Sequence, residues 1–288
     1  MTQSSPVFNN LTVSKGEKLV WGRRTYVMGI INVTPDSFSG DGMGDDVPAI
    51  VNLALRFQEE GADILDLGAE STRPGHQPIT ADDELKRLLP PLEAVTAAVN
   101  LPISVDTYKS RVARQALSAG ACIVNDIWGL KADPSLAEAA AEVGAGLVLM
   151  HNQDGTQYSD LLPNILASLE NSVSAALDTG VKKENVIIDP GIGFGKTPEQ
   201  NILVLQNLAR LKELNCPLLV GTSRKSTLGL LLGLPPNQRL EGTAATVALA
   251  ISGGADIVRV HDIKEMVRVC RVTDAVVHGW RPNGWKQS

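Results

Sequence analysis

Aromatic side chains are scarce in this chain of 288 residues: four Phe, three Tyr and four Trp, or 4% of the total. With so few rings there is little on which to stack single-stranded bases, and the core must be aliphatic. Cysteine is scarcer still. Cys122, Cys216 and Cys270 are odd in number, far apart and without C-x-x-C spacing, which excludes both a disulfide framework and a zinc site. There is no excess of positive charge either: 26 Lys and Arg against 32 Asp and Glu give a net charge of −6. A nucleic-acid or anionic-membrane surface needs the opposite balance. Long apolar runs are missing too. The stretch 243–251 (TAATVALAI) is far too short to span a bilayer, and residues 1–12 lack the basic and apolar regions of a signal peptide. What is present is 43% hydrophobic residues and 20% charged ones, the composition of a globular protein with a large core, expected to be cytoplasmic.

Short runs rich in Val and Ile alternate with amphipathic stretches. Candidate strands lie at 26–32, 63–68, 103–106, 122–125, 147–151, 186–189, 218–221 and 257–261, with candidate helices at 50–60, 82–99, 111–119, 134–143, 161–178, 198–211, 242–252 and 264–277. Eight alternations predict a parallel sheet with helical crossovers, each unit about 32 residues long. Four turns repeat one signature: Gly61-Ala62-Asp63, Gly120-Ala121-Cys122, Gly144-Ala145-Gly146 and Gly254-Ala255-Asp256. Repetition favours a ring of equivalent units over two unlike halves, so the fold class expected is α/β, a (β/α)8 barrel; an open doubly wound sheet is the alternative. Residues 7–24 read as a hairpin closing the bottom of the barrel. The expected organisation is one domain over 1–288, with 1–24 preceding a barrel of 25–280.

Barrel active sites lie at the carboxyl ends of the strands. Those ends carry Asn32, Glu70, Asp106, Asn125, His151, Asp189, Ser223 with Lys225, and Arg259 with His261, whereas the strand starts are mostly apolar. The asymmetry predicts a polar pocket at one mouth, with His151 among its lining. Asp106, Asn125 and Asp189 can read a flat heterocycle bearing N–H donors, since each buried donor needs an acceptor; Asp106 could equally cap a helix. Arg259 and His261 share a strand face with Lys225 and Arg224 nearby, a set suited to an anion such as pyrophosphate, although Arg259 could instead pair with an Asp. Residues 191–196 (GIGFGK) form a glycine-rich loop without Walker A spacing.

Read whole, the loops resemble the dihydropteroate synthase family. Residues 32–39 (NVTPDSFS) and 70–75 (ESTRPG) resemble its first two loops, and 189–196 (DPGIGFGK), 223–226 (SRKS) and 259–262 (RVHD) its remaining signatures, in order. The resemblance implies a transferase of folate biosynthesis joining 6-hydroxymethyl-7,8-dihydropterin pyrophosphate to p-aminobenzoate, the family that sulfonamides target. It implies catalytic roles for Asn32, Asp36, Lys225, Arg259 and His261. Thr72, Asp106, Asn125, Asp189 and Lys225 would hold the pterin, and Asn32, Arg259 and His261 the pyrophosphate. Phe38, Arg73, Phe194 and Ser226 would shape the p-aminobenzoate slot, and Asn32 would reach a Mg2+ ion. A homodimer is implied, with no nucleic-acid or membrane partner. The sequence departs from the family at Ser39-Gly40-Asp41-Gly42 and at Gln200, where many members carry His. Two rivals are a pterin-using methyltransferase barrel, which would not need the anion groups, and a non-catalytic pterin binder. Two further expectations follow. Arg259→Ala should abolish turnover while sparing pterin binding, and Phe38, Tyr108, Trp128 and Phe194 should gather at the mouth to grip a flat substrate.

Overall fold

The computed structural model describes residues 11–12, 18–34, 46–71, 77–282 and 284–285. A short antiparallel pair, β1 (Leu11–Thr12) and β2 (Lys18–Leu19), precedes eight parallel strands. These are β3 (Tyr26–Asn32), β4 (Ile64–Gly68), β5 (Ile103–Asp106), β6 (Ile123–Asp126), β7 (Gly146–Met150), β8 (Val186–Asp189), β9 (Leu219–Val220) and β10 (Ile257–Val260). Helices α1 (Val47–Glu60), α2 (Ala81–Ala98), α3 (Ser110–Ser118), α4 (Ser135–Val143), α5 (Leu161–Asp178) and α6 (Pro198–Gln206) follow the first six in turn. Two helices, α7 (Ser226–Leu232) and α8 (Leu240–Ser252), follow β9, and α9 (Ile263–Val277) follows β10. Sheet order is sequence order, with β10 joining β9 to β3. The ring closes between β8 and β9, where Ile188 bridges Leu218 and its N–H donates to the Pro217 carbonyl at 2.9 Å. The expected (β/α)8 barrel is thus present.

The repeated Gly-Ala turn has one geometry in all four places. Gly61, Gly120, Gly144 and Gly254 have φ of 98°, 107°, 69° and 95°, the left-handed conformation that ends a helix. Each following alanine then donates its N–H back five residues, to Phe57, Ala116, Ala140 and Ala250, at 2.9–3.0 Å. That is the bond of a Schellman motif, and it drops the chain straight into the next strand.

Alternation along the strands divides the core in two. Outward residues such as Leu65, Leu67, Val105 and Leu149 pack under the helices. Inward residues Met28, Ile64, Ile123, Val148, Ile187, Leu219 and Ile257 form a separate apolar cluster inside the barrel. Leu19 and Trp21 seal this cluster from below, with Trp21 edge-on to Tyr26 at 5.6 Å. The acids near the strand starts are consumed by structure. Asp63 accepts from Val27 N–H and pairs with Arg24; Asp274 accepts from Thr25 and Asp256 from Leu218. No helix among the described residues is long and apolar enough to cross a membrane.

Candidate active site

Two residues further along each inward face, the barrel interior changes character. Above Ile64 stands Asp66, above Ile123 Asn125, above Ile187 Asp189 and above Ile257 Arg259, while β5 contributes Ser104 and then Asp106. The same period-two register that fills the lower barrel with aliphatics therefore floors its upper end with polar groups. Above that floor lies a cavity of about 370 Å3, open at the carboxyl ends of the strands.

Asp66 is the hub of the floor and is fully buried. Its Oδ2 accepts from Arg259 Nε at 2.6 Å and from Asn125 Nδ2 at 3.1 Å. Arg259 reaches on through Nη2 to Asp106 Oδ2 at 2.7 Å. Because the Asn125 amide nitrogen is held by Asp66, its carbonyl oxygen remains to serve the cavity as an acceptor. Asp106 Oδ1 is buried with no hydrogen-bond partner among the described residues. Asp189 accepts from Gly191 N–H at 2.7 Å through Oδ1. Burial pushes the Asp189 carboxyl up to about 6, against the Gly191 N–H and the charges of Lys225, Lys196 and Arg259. Burial also raises Asp106, with Arg259 opposing and the charges of Asp66 and Glu84 adding to the rise. These are acceptors short of donors. A ligand edge carrying N–H groups would supply what the floor lacks.

The rim is built by loops. Lys225 stands 4.1 Å over the Phe194 ring, and Ser226 opens α7. The glycines beneath them are there for close approach. A Cβ on Gly191 would lie 2.0 Å from the His151 carbonyl oxygen, on Gly193 2.9 Å from Lys225 Cδ, and on Gly195 2.7 Å from the Gln153 carbonyl oxygen. All three have positive φ. Across the mouth, Ser223 Oγ accepts from the His261 N–H at 3.2 Å and lies 2.9 Å from His261 Nδ1. Arg224 makes a two-pronged pair with Asp262 at 3.2 and 2.6 Å. Glu70, also on the rim, accepts from Tyr108 OH at 2.8 Å and pairs with Lys109.

Of the polar strand ends expected to line a pocket, Asn32, Glu70, Asp106, Asn125, Asp189, Ser223, Lys225, Arg259 and His261 all do so, with Phe194 and Ser226 beside them. His151 does not. It follows Met150, and alternation gives the cavity to Met150 while His151 turns behind the sheet toward Lys196. The aromatic expectation holds for Phe194 alone among the described rings. Tyr108 anchors Glu70 and Trp128 does not line the cavity, so a ring on a mouth loop need not face the ligand. Asp36, Phe38, Thr72 and Arg73 lie outside the described residues. Arg259, expected with the anion group, pairs in the structure with Asp66 and Asp106 of the floor, so that removing it would take an ion-pair partner from both carboxylates. Sequence reading passed over Asp66 and Arg239. Asp66 was legible as an acid two residues after Ile64 on an inward face; Arg239 lines the cavity while donating to the Leu234, Arg224 and Lys225 carbonyls, which no motif signals. Gln200 serves structure, completing a capping box with Thr197 at the start of α6.

Among the described residues no group of three His, Cys, Asp or Glu could hold a metal ion. Asn32 offers one amide oxygen at the rim, enough for an ion that arrives bound to phosphate oxygens of a substrate and keeps its waters.

Residues 28–261 match the family model described as pterin binding enzyme. The chain is 49% identical over 257 residues to the dihydropteroate synthase of Clostridium beijerinckii, covering 89% of this chain and 96% of that one. Among solved structures, dihydropteroate synthase from Clostridium difficile in the presence of pteroic acid superposes with a TM-score of 0.86 at 48% identity, covering 90% of this chain and 98% of that one. The Xanthomonas albilineans dihydropteroate synthase with 4-aminobenzoic acid gives a TM-score of 0.87 at 42% identity, covering 93% and 98%.

Proposed function

The chain belongs to the dihydropteroate synthases of the pterin binding enzyme family, transferases of folate biosynthesis, and from that premise we propose how its side chains divide the reaction. The substrates are 6-hydroxymethyl-7,8-dihydropterin pyrophosphate and p-aminobenzoate. Asp106, Asn125 and Asp189 take the N–H edge of the pterin, with Lys225 and Thr72 completing its site. The observation that carries this reading is the buried Asp106 Oδ1, without a hydrogen-bond partner among the described residues, on a floor that also holds the Asp189 carboxylate. Asn32, Arg259 and His261 meet the pyrophosphate. Phe38, Arg73, Phe194 and Ser226 bound the p-aminobenzoate slot, and Asp36 acts from the first loop.

In the step, the aniline nitrogen attacks the pterin methylene carbon and a C–N bond forms. The C–O bond breaks, its electron pair leaves with pyrophosphate, and the nitrogen loses a proton to give 7,8-dihydropteroate. No strong general base is required, since an aryl amine is neutral at pH 7. Catalysis then rests on placing the aniline nitrogen, the methylene carbon and the leaving oxygen in line and on stabilising charge on the leaving group. Arg259 and His261 supply that stabilisation. Asn32 would hold a Mg2+ ion carried on the pyrophosphate, which when bound adds positive charge to the leaving group.

His261 makes the cleaner test, because Arg259 also ties the pterin floor together. Removing one positioned donor from a developing anion costs about 10²–10³ in kcat. His261→Ala should lower kcat by about that factor while the Kd of the hydroxymethyl pterin, lacking its pyrophosphate, stays within about twofold. Equal loss of both, by steady-state kinetics and calorimetry, contradicts the division. A chain that binds the pterin but forms no dihydropteroate with both substrates and Mg2+ would be the non-catalytic binder instead.

A homodimer and a cytoplasmic location complete the proposal. Exposed Leu230 and Leu231 on α7, Leu249 on α8, and Val272 and Val276 on α9 support an apolar interface between copies. The three cysteines form no disulfide, in keeping with a reducing compartment. The whole reaction would be served by one barrel domain.

A further inference from the structure

Lys196 closes the glycine-rich loop and takes no part in the reaction just described. It is buried, at 8% exposure, and does not line the cavity. Among the described residues no carboxylate pairs with its ammonium group. Instead Nζ lies 3.0 Å from each of three acceptors: the Gly191 carbonyl, the Phe194 carbonyl and His151 Nδ1. An ammonium group has three N–H donors and no acceptor, so all three are used and His151 must carry its own proton on Nε2. The two carbonyls are the ends of one turn, closed by Phe194 N–H donating to the Gly191 carbonyl at 3.1 Å. That turn carries Gly193, which lets Lys225 pass, and Phe194, which lies under the Lys225 ammonium. Burying a lysine among neutral acceptors is costly, and a methionine of similar length would fill the same volume without that cost. The cost makes sense if the three bonds are needed to fix the turn.

We propose that Lys196 is a positioning residue for the p-aminobenzoate slot, its three N–H bonds holding the turn 191–194 so that Phe194 stands at the slot's wall. The inference rests on the assignment of Phe194 to that slot. It separates two sites that share a cavity: the pterin floor is fixed by strands, whereas the slot depends on a loop tied from behind. Around Lys196 stand Asp189 from β8, Lys225 from the β9 loop, Lys131 from the β6 loop and His151 from the β7 loop. Burial pulls Lys196 down to about 7, Asp189 opposing and Lys225 and Lys131 adding to the fall. Burial and the neighbouring lysines hold His151 neutral, down to about 3. The sign of the pH effect follows. Below about 7 the ammonium fills all three acceptors; above it the neutral amine has two N–H donors to share among them, and with His151 protonated on Nε2 the turn loses a bond.

The test compares the wild type, Lys196→Met and Tyr158→Phe, which removes a separate tie, the Tyr158 hydroxyl donating to the Gly195 carbonyl at 2.7 Å. KM for p-aminobenzoate and kcat are followed across pH, and calorimetry gives the Kd of the hydroxymethyl pterin. Lys196→Met should raise KM for p-aminobenzoate about tenfold, with kcat and the pterin Kd within about threefold. The wild-type KM should climb as pH rises past about 7, and that climb should vanish in Lys196→Met. An unchanged KM, or a matching loss of pterin binding, overturns the proposal. If Lys196→Met does not fold, Tyr158→Phe and the wild-type profile decide: a rise confined to KM in both supports it, and a flat profile overturns it. A wild type that makes no dihydropteroate overturns the functional reading itself, an outcome distinct from an active enzyme whose KM ignores Lys196.

Discussion

Asp66, Arg259 and Asp106 form a chain of alternating charge across the barrel floor, and its worth lies in what each member does to the next. Asp66 orients both Arg259 and Asn125 through one oxygen. Asp66→Ala should therefore strip two residues of their anchor and leave the Arg259 guanidinium paired with Asp106 alone among the described carboxylates, a loss of about 3 kcal/mol in stability to denaturant. Pterin affinity should fall with it. A change under about 0.5 kcal/mol by urea unfolding would mean that Arg259 and Asn125 are positioned by other contacts. At this scale the sequence was informative wherever a polar side chain stood at a strand end. It was less so where strand alternation decided the direction: His151 sits at a strand end yet turns away, while Asp66, in mid-strand, turns in. Lys196 could be read as part of a motif, but its role depends on two carbonyls and an imidazole that only the folded loop brings within reach.

Among the elements, the strands and most helices follow closely from hydrophobic periodicity, because each must bury one face against the barrel. Helix α7 escaped that reading. Its sequence STLGLLL is short, apolar on all sides and interrupted by Gly229, so no period stands out. A Cβ at Gly229 would lie 2.1 Å from the Arg239 guanidinium, so a side chain there would push Arg239 off the carbonyls it holds. The glycine turns offer a controlled comparison. Gly144 and Gly191 both have φ of 69°, but a Cβ on Gly144 meets nothing within 4 Å whereas one on Gly191 meets the His151 carbonyl at 2.0 Å. Gly144→Ala should cost about 1 kcal/mol, the price of a left-handed alanine. Gly191→Ala should cost about 3 kcal/mol or more, and KM for p-aminobenzoate should rise because the turn under Phe194 must shift. Equal costs in urea unfolding would show that the loop yields freely.

For the molecule as a whole, one register sets both stability and chemistry. The lower inward layer is aliphatic and sealed by Trp21; the layer above it is polar and open. A rigid packed base thus supports a floor of acceptors, the groups proposed to take the N–H edge of the pterin. If this floor reads donors, changing the acceptor at Asp106 should weaken pterin binding sharply. In Asp106→Asn one oxygen can still accept from Arg259, but an NH2 group then stands in place of Oδ1, setting a donor against the donors of the proposed pterin edge. Calorimetric titration of the hydroxymethyl pterin into the wild type and this variant should show Kd raised about 100-fold at a temperature where circular dichroism shows both to be folded. A Kd within about threefold of the wild type would contradict the account, because the buried oxygen would then have no part in holding the ring.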